Sequence, residues 1–182
     1  MNQKYIYLVF TKTGTWLSRL IMLFSHLKYP HASLSIDDSF TKMYSFGRIN
    51  PNNPFSGGFV EEDFTKGVYK KFPGCQCLIY KVAITEEQFS VLEQQIQGFV
   101  GERKRYRYNF LGLLSLLLDK PLKIGNRYFC SQFVAEVLIK SGILQSEKVP
   151  ELIRTDELYK IPNQEVVYEG SISDFVRAKK RY

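Results

Sequence analysis

The short segment from residue 31 to residue 37 constrains the fold more than any other part of the chain. It reads His-Ala-Ser-Leu-Ser-Ile-Asp, a strict alternation of polar and apolar side chains directly after Pro30. Successive side chains of a strand point to opposite faces of a sheet, so this alternation predicts a strand with one apolar and one polar face. The apolar face carries Ala32, Leu34 and Ile36, and the polar face carries His31, Ser33 and Ser35.

Strand and helix patterns on both sides of this segment predict an α+β fold, with a central, mostly antiparallel sheet and helices packed on it. Asp37–Ser39 supplies turn residues, and Phe40–Phe46 is expected to return as the second strand of a hairpin. The other predicted strands are Tyr5–Thr11, Cys75–Ile84 and the segment around Val166–Tyr168. The predicted helices are residues 16–24, a helix with a capping box at Thr85, a short buried helix Phe110–Leu118, and Tyr128–Ser141 with Gly142 as its C-terminal cap.

The composition fits one folded domain that spans residues 1–182, because no repeat or linker-like stretch divides the chain. The net charge of +7 favours anionic partners. No apolar run approaches the ~20 residues of a membrane span, and the N-terminus lacks the pattern of a signal peptide, so we expect a soluble, cytoplasmic protein. Two histidines and three cysteines without paired CxxC motifs predict no metal site, and no organic cofactor is implied.

Cys130 is the first residue whose position suggests chemistry. Polar and turn residues precede it and a helical apolar pattern follows it, which places the thiol in the first turn of a helix. Free backbone N–H groups and the helix dipole stabilise a thiolate there, although a buried packing cysteine fits the same position. Cys75 and Cys77 fall on one face of a predicted strand and are interpreted as packing residues.

A nucleophilic thiolate usually needs a histidine that takes and returns a proton. The sequence offers only His26 and His31. His26 follows apolar residues at the end of a predicted helix and is interpreted as a cap or packing residue. His31 opens a strand on its polar face, where the backbone fixes the ring, and is therefore the candidate base.

Together these residues resemble a known family. The segments His31–Ile36 (HASLSI) and Tyr128–Val134 (YFCSQFV) resemble the histidine and cysteine motifs of the circularly permuted, YiiX-like branch of the NlpC-type papain-like cysteine peptidases and amidases. Histidine precedes cysteine, which is the permuted order, and Tyr108–Leu114 resembles the family's helix before the cysteine. The lecithin retinol acyltransferase group is similar at a greater distance.

The resemblance implies a permuted papain-like fold and a thiol-dependent hydrolase. Cys130 would be the nucleophile and His31 the general base. The leading substrates would be amides of peptides, peptidoglycan fragments or N-acyl compounds. A lipid-directed acyltransferase or phospholipase of the same fold is an alternative, and a catalytically silent binding domain is another.

The resemblance also implies a third polar residue that orients the imidazole. A three-residue turn in the hairpin would place Ser45 opposite His31, whereas a two-residue turn would place Tyr44 or Phe46 there. Ser45 carries no charge, so it would leave an imidazolium without a counter-ion. Glu61 or Glu62 could instead supply a carboxylate, and the alternatives stay open at this point.

The loop Gly47–Gly58 follows the strand expected to face His31, so we expect it to form one wall of a substrate cleft. Within and beside this region the candidate substrate-binding residues are Arg48, Phe55, Phe59, Tyr44 and Ser131. The substrate is expected to be a small molecule or peptide, with an anionic group that Arg48 could bind.

No nucleic-acid motif surrounds the basic cluster Arg103–Arg107, so no nucleic-acid partner is expected. That cluster is interpreted as a solvated face, and peripheral membrane contact is the less favoured reading.

Overall fold

The core of the molecule is a six-stranded antiparallel sheet, and the α+β prediction is confirmed. The computed structural model describes residues 3–14, 22, 27–50, 52–53, 56–72 and 74–180. The strands are β1 (Lys4–Lys12), β2 (His31–Ser35), β3 (Met43–Arg48), β4 (Gly57–Glu62), β5 (Gln76–Ile84) and a late strand, β8 (Gln164–Ser171). Their order across the sheet is β4-β3-β2-β1-β5-β8. The helix expected over residues 16–24 falls almost entirely outside the described residues, and so does His26.

The described part of the chain also contains five α-helices, a small second sheet and three short 3₁₀ helices, Arg103–Arg105, Pro150–Leu152 and Glu157–Lys160. The helices are α1 (Gly67–Lys71), α2 (Glu86–Gly101), α3 (Phe110–Leu117), α4 (Cys130–Lys140) and α5 (Ile172–Lys179). The two-stranded parallel sheet consists of β6 (Arg107–Tyr108) and β7 (Arg127–Tyr128). None of the described helices is long and apolar enough to cross a membrane.

The predicted start of α2 is confirmed. The Thr85 hydroxyl accepts a hydrogen bond from the Gln88 backbone N–H at 3.1 Å, and the Gln88 side chain accepts one from the Thr85 N–H at 3.0 Å. This reciprocal pair satisfies two N–H groups that a helix start otherwise leaves unpaired. The predicted C-terminal cap of α4 is also confirmed, because Gly142 adopts the left-handed conformation at φ +66°.

Two apolar clusters lie in the structure. The larger one joins β1 and β2 to α2 and α4, with members such as Leu8, Leu34, Leu92 and Phe133. The smaller one contains Val9, Phe40, Phe64 and Ile172, among others. Val9 and Leu8 are neighbours on β1 and belong to different clusters, as expected for a strand whose two faces are both covered. Ser33 and Ser35, predicted on a polar face, are therefore fully buried.

The connection between β2 and β3 is longer than the sequence suggested. Leu34 pairs with Tyr44 and Ser35 pairs with Met43, so the connecting loop contains seven residues, 36–42. The three-residue turn and the strand start at Phe40 were therefore wrong. Phe40 instead has a positive φ of 52° and a ring that is only 3% exposed, packed near Tyr7 and Phe64. Burial of this ring holds Phe40 in the loop, and the pairing with β2 starts only at Met43.

The helix expected at Phe110–Leu118 is present, but the expectation that it is buried was wrong. Leu111, Leu114 and Leu118 are 65%, 61% and 69% exposed, whereas Leu116 is buried. A short apolar run does not show by periodicity alone whether it lies in the core or on the surface.

We expect Phe40→Ala to lower the free energy of unfolding by about 3–5 kcal/mol, because truncation of a buried aromatic ring leaves a cavity. Urea denaturation followed by circular dichroism measures the loss. Leu111→Ala is the matched control, since its side chain is mostly exposed and its removal should cost no more than about 0.5 kcal/mol. Equal losses in the two variants would contradict the anchoring role of Phe40.

Candidate functional site

Cys130 lies in the first turn of α4, as the sequence predicted, and is its first residue, whereas the helix was expected to begin at Tyr128. Two residues of β7 lead the chain to Phe129, whose N–H donates to the Gln132 side chain, and the helix begins at the next residue. The thiol donates to the Pro30 carbonyl at 3.9 Å, and hydrogen bonds from the backbone of Ala32 and Ser131 help to lower its pKa. The thiol is thus held between the start of a helix and the start of a strand, and the residue is 3% exposed.

The ring of His31 contacts both Cys130 and a carboxylate. Its Nε2 lies 2.9 Å from Glu62 Oε1 and 3.2 Å from Glu62 Oε2. A side-chain hydrogen bond also joins His31 to Cys130. Since Glu62 occupies Nε2, Nδ1 is the nitrogen left to face the sulfur. The structure therefore aligns a thiol, an imidazole and a carboxylate from α4, β2 and β4.

Glu62 is held by two further hydroxyl groups. The Ser33 hydroxyl donates to Glu62 Oε2 at 2.6 Å, and the Tyr69 hydroxyl donates to the same oxygen at 3.1 Å. The Thr11 hydroxyl lies 3.4 Å from that of Tyr69 and extends the network to β1. A buried carboxylate must have such partners, because an unpaired charge in the interior is costly.

Gly47 makes room for the pair of His31 and Glu62. A Cβ atom at this position would lie 3.3 Å from Glu62 Oε1 and 3.4 Å from His31 Cε1. Both distances are tight for a carbon contact, so the absent side chain lets the imidazole and the carboxylate meet above the backbone of β3.

The charges in the site favour an imidazolium beside a thiolate. Burial lowers the pKa of His31, but the negative charge of Glu62 and the hydrogen bonds outweigh it and leave the pKa well above 6.5. Burial raises the pKa of Cys130, but the hydrogen bond and charge of His31 and the two backbone N–H groups outweigh it, so the pKa is lowered. Burial likewise opposes ionisation of Glu62, and the charge of His31 with its hydrogen bonds still lowers the carboxyl pKa.

Tyr108 is the fourth side chain at the sulfur. Its hydroxyl forms a hydrogen bond with Cys130, and burial, followed by the charge of Cys130, raises its pKa well above 10. The phenol therefore keeps its proton at neutral pH and acts as a donor toward the thiolate. The strand pairing of β6 with β7 brings Tyr108 beside Tyr128, two residues before the cysteine.

The structure places Ser45 away from the imidazole. The pairing of Leu34 with Tyr44, continued along the strands, brings Ser45 opposite Ser33 and Gly47 opposite His31. The Ser45 hydroxyl donates to the Ala32 carbonyl at 2.6 Å. The orienting role expected of Ser45 therefore fails, because the seven-residue loop shifts the register by two positions. Of the open alternatives, Glu62 contacts the ring.

The other two alternatives for the third residue lie elsewhere. Tyr44 is 1% exposed, and its ring stacks near Phe59 in the larger apolar cluster. Glu61 forms surface ion pairs with Lys42 at 3.4 Å and Arg103 at 3.6 Å. Neighbouring residues of β4 point to opposite faces, which explains why Glu62 meets His31 and Glu61 meets surface cations.

The expected substrate-binding residues separate into three groups. The Phe59 ring packs against Phe46, Phe99 and Phe133, so it serves the core, as Tyr44 does. Ser131 is 2% exposed and contributes its backbone N–H to the sulfur. Phe55 lies outside the described residues, and Arg48 lines a surface groove.

This groove has a volume of about 1320 Å³ and lies along β4. Arg48, Ile49 and Ser56 of the expected loop line it, and Glu62 and Tyr69 connect it to the site. Cationic side chains outnumber acidic ones along its wall: the cations are Lys42, Arg48, Lys66, Arg103, Lys104 and Arg107, and the acids are Glu61, Glu62 and Asp63. Neither His31 nor Cys130 is among the described residues that line it.

Sequence reasoning missed three of the polar groups at the site. Tyr69 and Ser33 hold Glu62, and Tyr108 contacts the sulfur. Ser33 lies on the same face of the predicted strand as His31, so the alternating pattern could have identified it. Tyr108 and Tyr69 had no local signal, because only the packing of β6 and α1 brings them to the site.

Comparison with family models, with curated proteins and with solved structures finds no match to this chain. Among the described residues no group of histidine, cysteine and carboxylate side chains could hold a metal ion.

We expect Glu62→Gln to shift the pH profile of Cys130 alkylation upward by about one to three pH units. The loss of a negative charge lowers the pKa of His31, and the weaker imidazolium then stabilises the thiolate less. The rate of reaction with a small alkylating reagent, followed by peptide mass mapping, measures the shift. Glu61→Gln is the matched control and should leave the profile unchanged, because its partners are surface cations. An unmoved midpoint in Glu62→Gln would contradict the assigned role of the carboxylate.

Proposed function

We propose that the chain is a thiol-dependent acyl hydrolase of the circularly permuted papain-like type, with Cys130 as nucleophile, His31 as general base and acid, and Glu62 as the residue that positions His31. One observation supports this proposal above all others, the hydrogen-bonded line from the thiol through the imidazole to the carboxylate. The three groups come from positions up to 99 residues apart, and their protonation states suit nucleophilic attack.

The reaction follows from the positions of these groups. The thiolate of Cys130 attacks the carbonyl carbon of an amide, and a C–S bond forms while the carbonyl electrons move to oxygen. The tetrahedral intermediate collapses, the C–N bond breaks, and His31 gives its proton to the leaving amine. Water then attacks the thioester with His31 as base, and the C–S bond breaks to release the acid and regenerate the thiolate.

The oxyanion of the intermediate would be held by groups that already point at the sulfur. The N-terminal N–H groups of α4 are available at the first turn, and the Tyr108 hydroxyl keeps its proton because of burial. Donors fixed in place before the reaction stabilise developing charge most effectively. Tyr108 is thus proposed as a catalytic residue beside the dyad.

The leading substrates are amides of peptides, peptidoglycan fragments or N-acyl compounds. The excess of cations along the groove favours a substrate whose part beyond the scissile bond carries negative charge.

The alternative of a silent binding domain was motivated by an uncharged third residue at Ser45. His31 instead contacts the carboxylate of Glu62, so the argument for a silent domain no longer applies.

We expect alkylation at neutral pH to modify Cys130 and to spare the other two cysteines. Burial raises the pKa of Cys75 to about 11 and that of Cys77 to about 12, so both remain thiols. Mass mapping before and after denaturation distinguishes the three sites. His31→Ala should slow the reaction of Cys130 at neutral pH without exposing Cys75 or Cys77. Equal reaction of all three thiols in the native protein would refute an activated Cys130.

We expect Tyr108→Phe to lower the rate of acyl transfer by about 10²–10³-fold, the usual loss when one oxyanion donor is removed. The acyl donor p-nitrophenyl acetate reports both steps, since a burst of p-nitrophenolate measures acylation and the later steady rate measures release of acetate. Tyr106→Phe is the matched control on the same segment. Unchanged burst and steady rates in Tyr108→Phe would remove Tyr108 from the mechanism and leave the dyad in place.

A further inference from the structure

The apolar side of α3 and the turn after it form an unusual surface. Of the large apolar side chains exposed in the described part of the chain, a group of five comes from one stretch of thirteen residues: Phe110, Leu111, Leu114, Leu118 and Leu122. Helix α3 keeps its position through its N-cap, because Asn109 accepts from the Gly112 N–H at 2.9 Å and donates to the Leu122 carbonyl at 3.1 Å. An apolar patch fixed in this way marks an interaction site.

Cations precede and follow this apolar segment in the sequence. The stretch from residue 103 to residue 127 contains Arg103, Lys104, Arg105, Arg107, Lys120, Lys123 and Arg127, and these seven residues are called the basic rim here. Asp119 is the one acidic residue in the stretch, and it pairs with Arg154 at 3.0 Å. The rim therefore carries a strong positive charge next to the exposed leucines.

Part of the basic rim has no carboxylate partner. Arg103, Arg105 and Lys123 pair with glutamates, whereas no described carboxylate lies within ion-pair distance of the other four: Lys104, Arg107, Lys120 and Arg127. The parallel pairing of β6 with β7 brings Arg107 opposite Arg127. Like charges on opposed positions destabilise a sheet, so an anion that binds both would stabilise this arrangement.

We propose that the apolar patch and the basic rim dock the protein on an anionic lipid bilayer. Exposed apolar side chains that insert at the headgroup boundary, flanked by lysine and arginine, are the combination that interfacial binding requires. The eight residues of α3 are far too few to span a bilayer, so the helix would lie on the membrane. A second copy of the chain is a less favourable partner for the patch. A two-fold contact would place the positively charged rim of one protomer against that of the other, and the two would repel.

The docking surface lies beside the catalytic thiol. Tyr108, which contacts Cys130, has its ring 4.7 Å from that of Phe110. The Asn109 N–H donates at 2.8 Å to the carbonyl of Tyr128, two residues before the cysteine. A docked molecule would therefore act on acyl groups presented at the bilayer surface. This last consequence rests on the proposed hydrolase function, whereas the docking does not.

Vesicle co-sedimentation of the full chain tests the proposal. The vesicles are phosphatidylcholine alone or phosphatidylcholine with about one third phosphatidylglycerol, at low and high ionic strength. We expect binding to the anionic vesicles that weakens as salt rises. Leu111→Gln/Leu114→Gln should lower the partition coefficient at least about tenfold, because exposed apolar area no longer enters the interface. Val91→Gln/Val166→Gln is the matched control at two exposed positions outside the patch.

The charge of the rim is tested separately. Lys104→Gln/Lys120→Gln should lower binding to anionic vesicles about 25-fold, since each cation near such a surface contributes about fivefold. It should leave binding to phosphatidylcholine alone unchanged. Cys130→Ser should bind as the wild type does, which keeps the failure of docking distinct from the failure of catalysis. Thermal melting of each variant identifies any loss of fold.

Several results would overturn the docking proposal. One is equal sedimentation of the wild type, the leucine double variant and the lysine double variant, and another is the absence of binding to either vesicle. A third is a change in self-association of the leucine variant, measured by sedimentation velocity, with unchanged vesicle binding. That result would assign the patch to a contact between copies of the chain.

Discussion

A carboxylate and an imidazole that are both mostly removed from water determine much of this structure. The side chains of His31 and Glu62 are 18% and 16% exposed, and removal of one partner from such a pair typically costs about 3–5 kcal/mol. Each group therefore depends on the other and on the hydroxyls of Ser33 and Tyr69. Because these residues come from β2, β4 and α1, the pair fixes the positions of three elements.

The sheet transmits this constraint to the thiol of Cys130. Gly47 on β3 leaves space above its backbone for the pair, and the N–H of Ala32 on β2 reaches the sulfur of Cys130. The start of α4 is consequently held against the strand that carries the base. A thiol activated in this way depends on tertiary packing, since no residue adjacent to Cys130 in sequence supplies a charge.

The sequence predicted the local features and missed those that depend on loop length and packing. The strand at His31, the capping box at Thr85 and a helix with Cys130 in its first turn follow from short patterns, and all three are present. The sequence did not show whether Ser45, Glu62 or another of the alternatives contacts the His31 ring. That contact depends on the pairing register of β2 with β3, which is set by the length of the loop between them. Burial of Phe40 decides that length. The exposure of α3 was likewise invisible, since a short, mostly apolar helix has the same sequence pattern in a core and on a surface.

The stability of the site and its proposed chemistry depend on the same ionisable groups. The lowered pKa of Glu62 means that its contribution to stability is complete above 4.5 and is lost as pH falls through the folded-state value. The raised pKa of His31 means that its contribution is complete below 6.5 and is lost as pH rises through the folded-state value. Cys130, with a lowered pKa, needs a pH above its folded-state value to be a thiolate. The paired thiolate and imidazolium therefore exist between the pKa of Cys130 and that of His31, and in the proposed reaction the leaving group receives the proton of Nδ1, the ring nitrogen that faces the sulfur, while the Nε2 proton stays with Glu62.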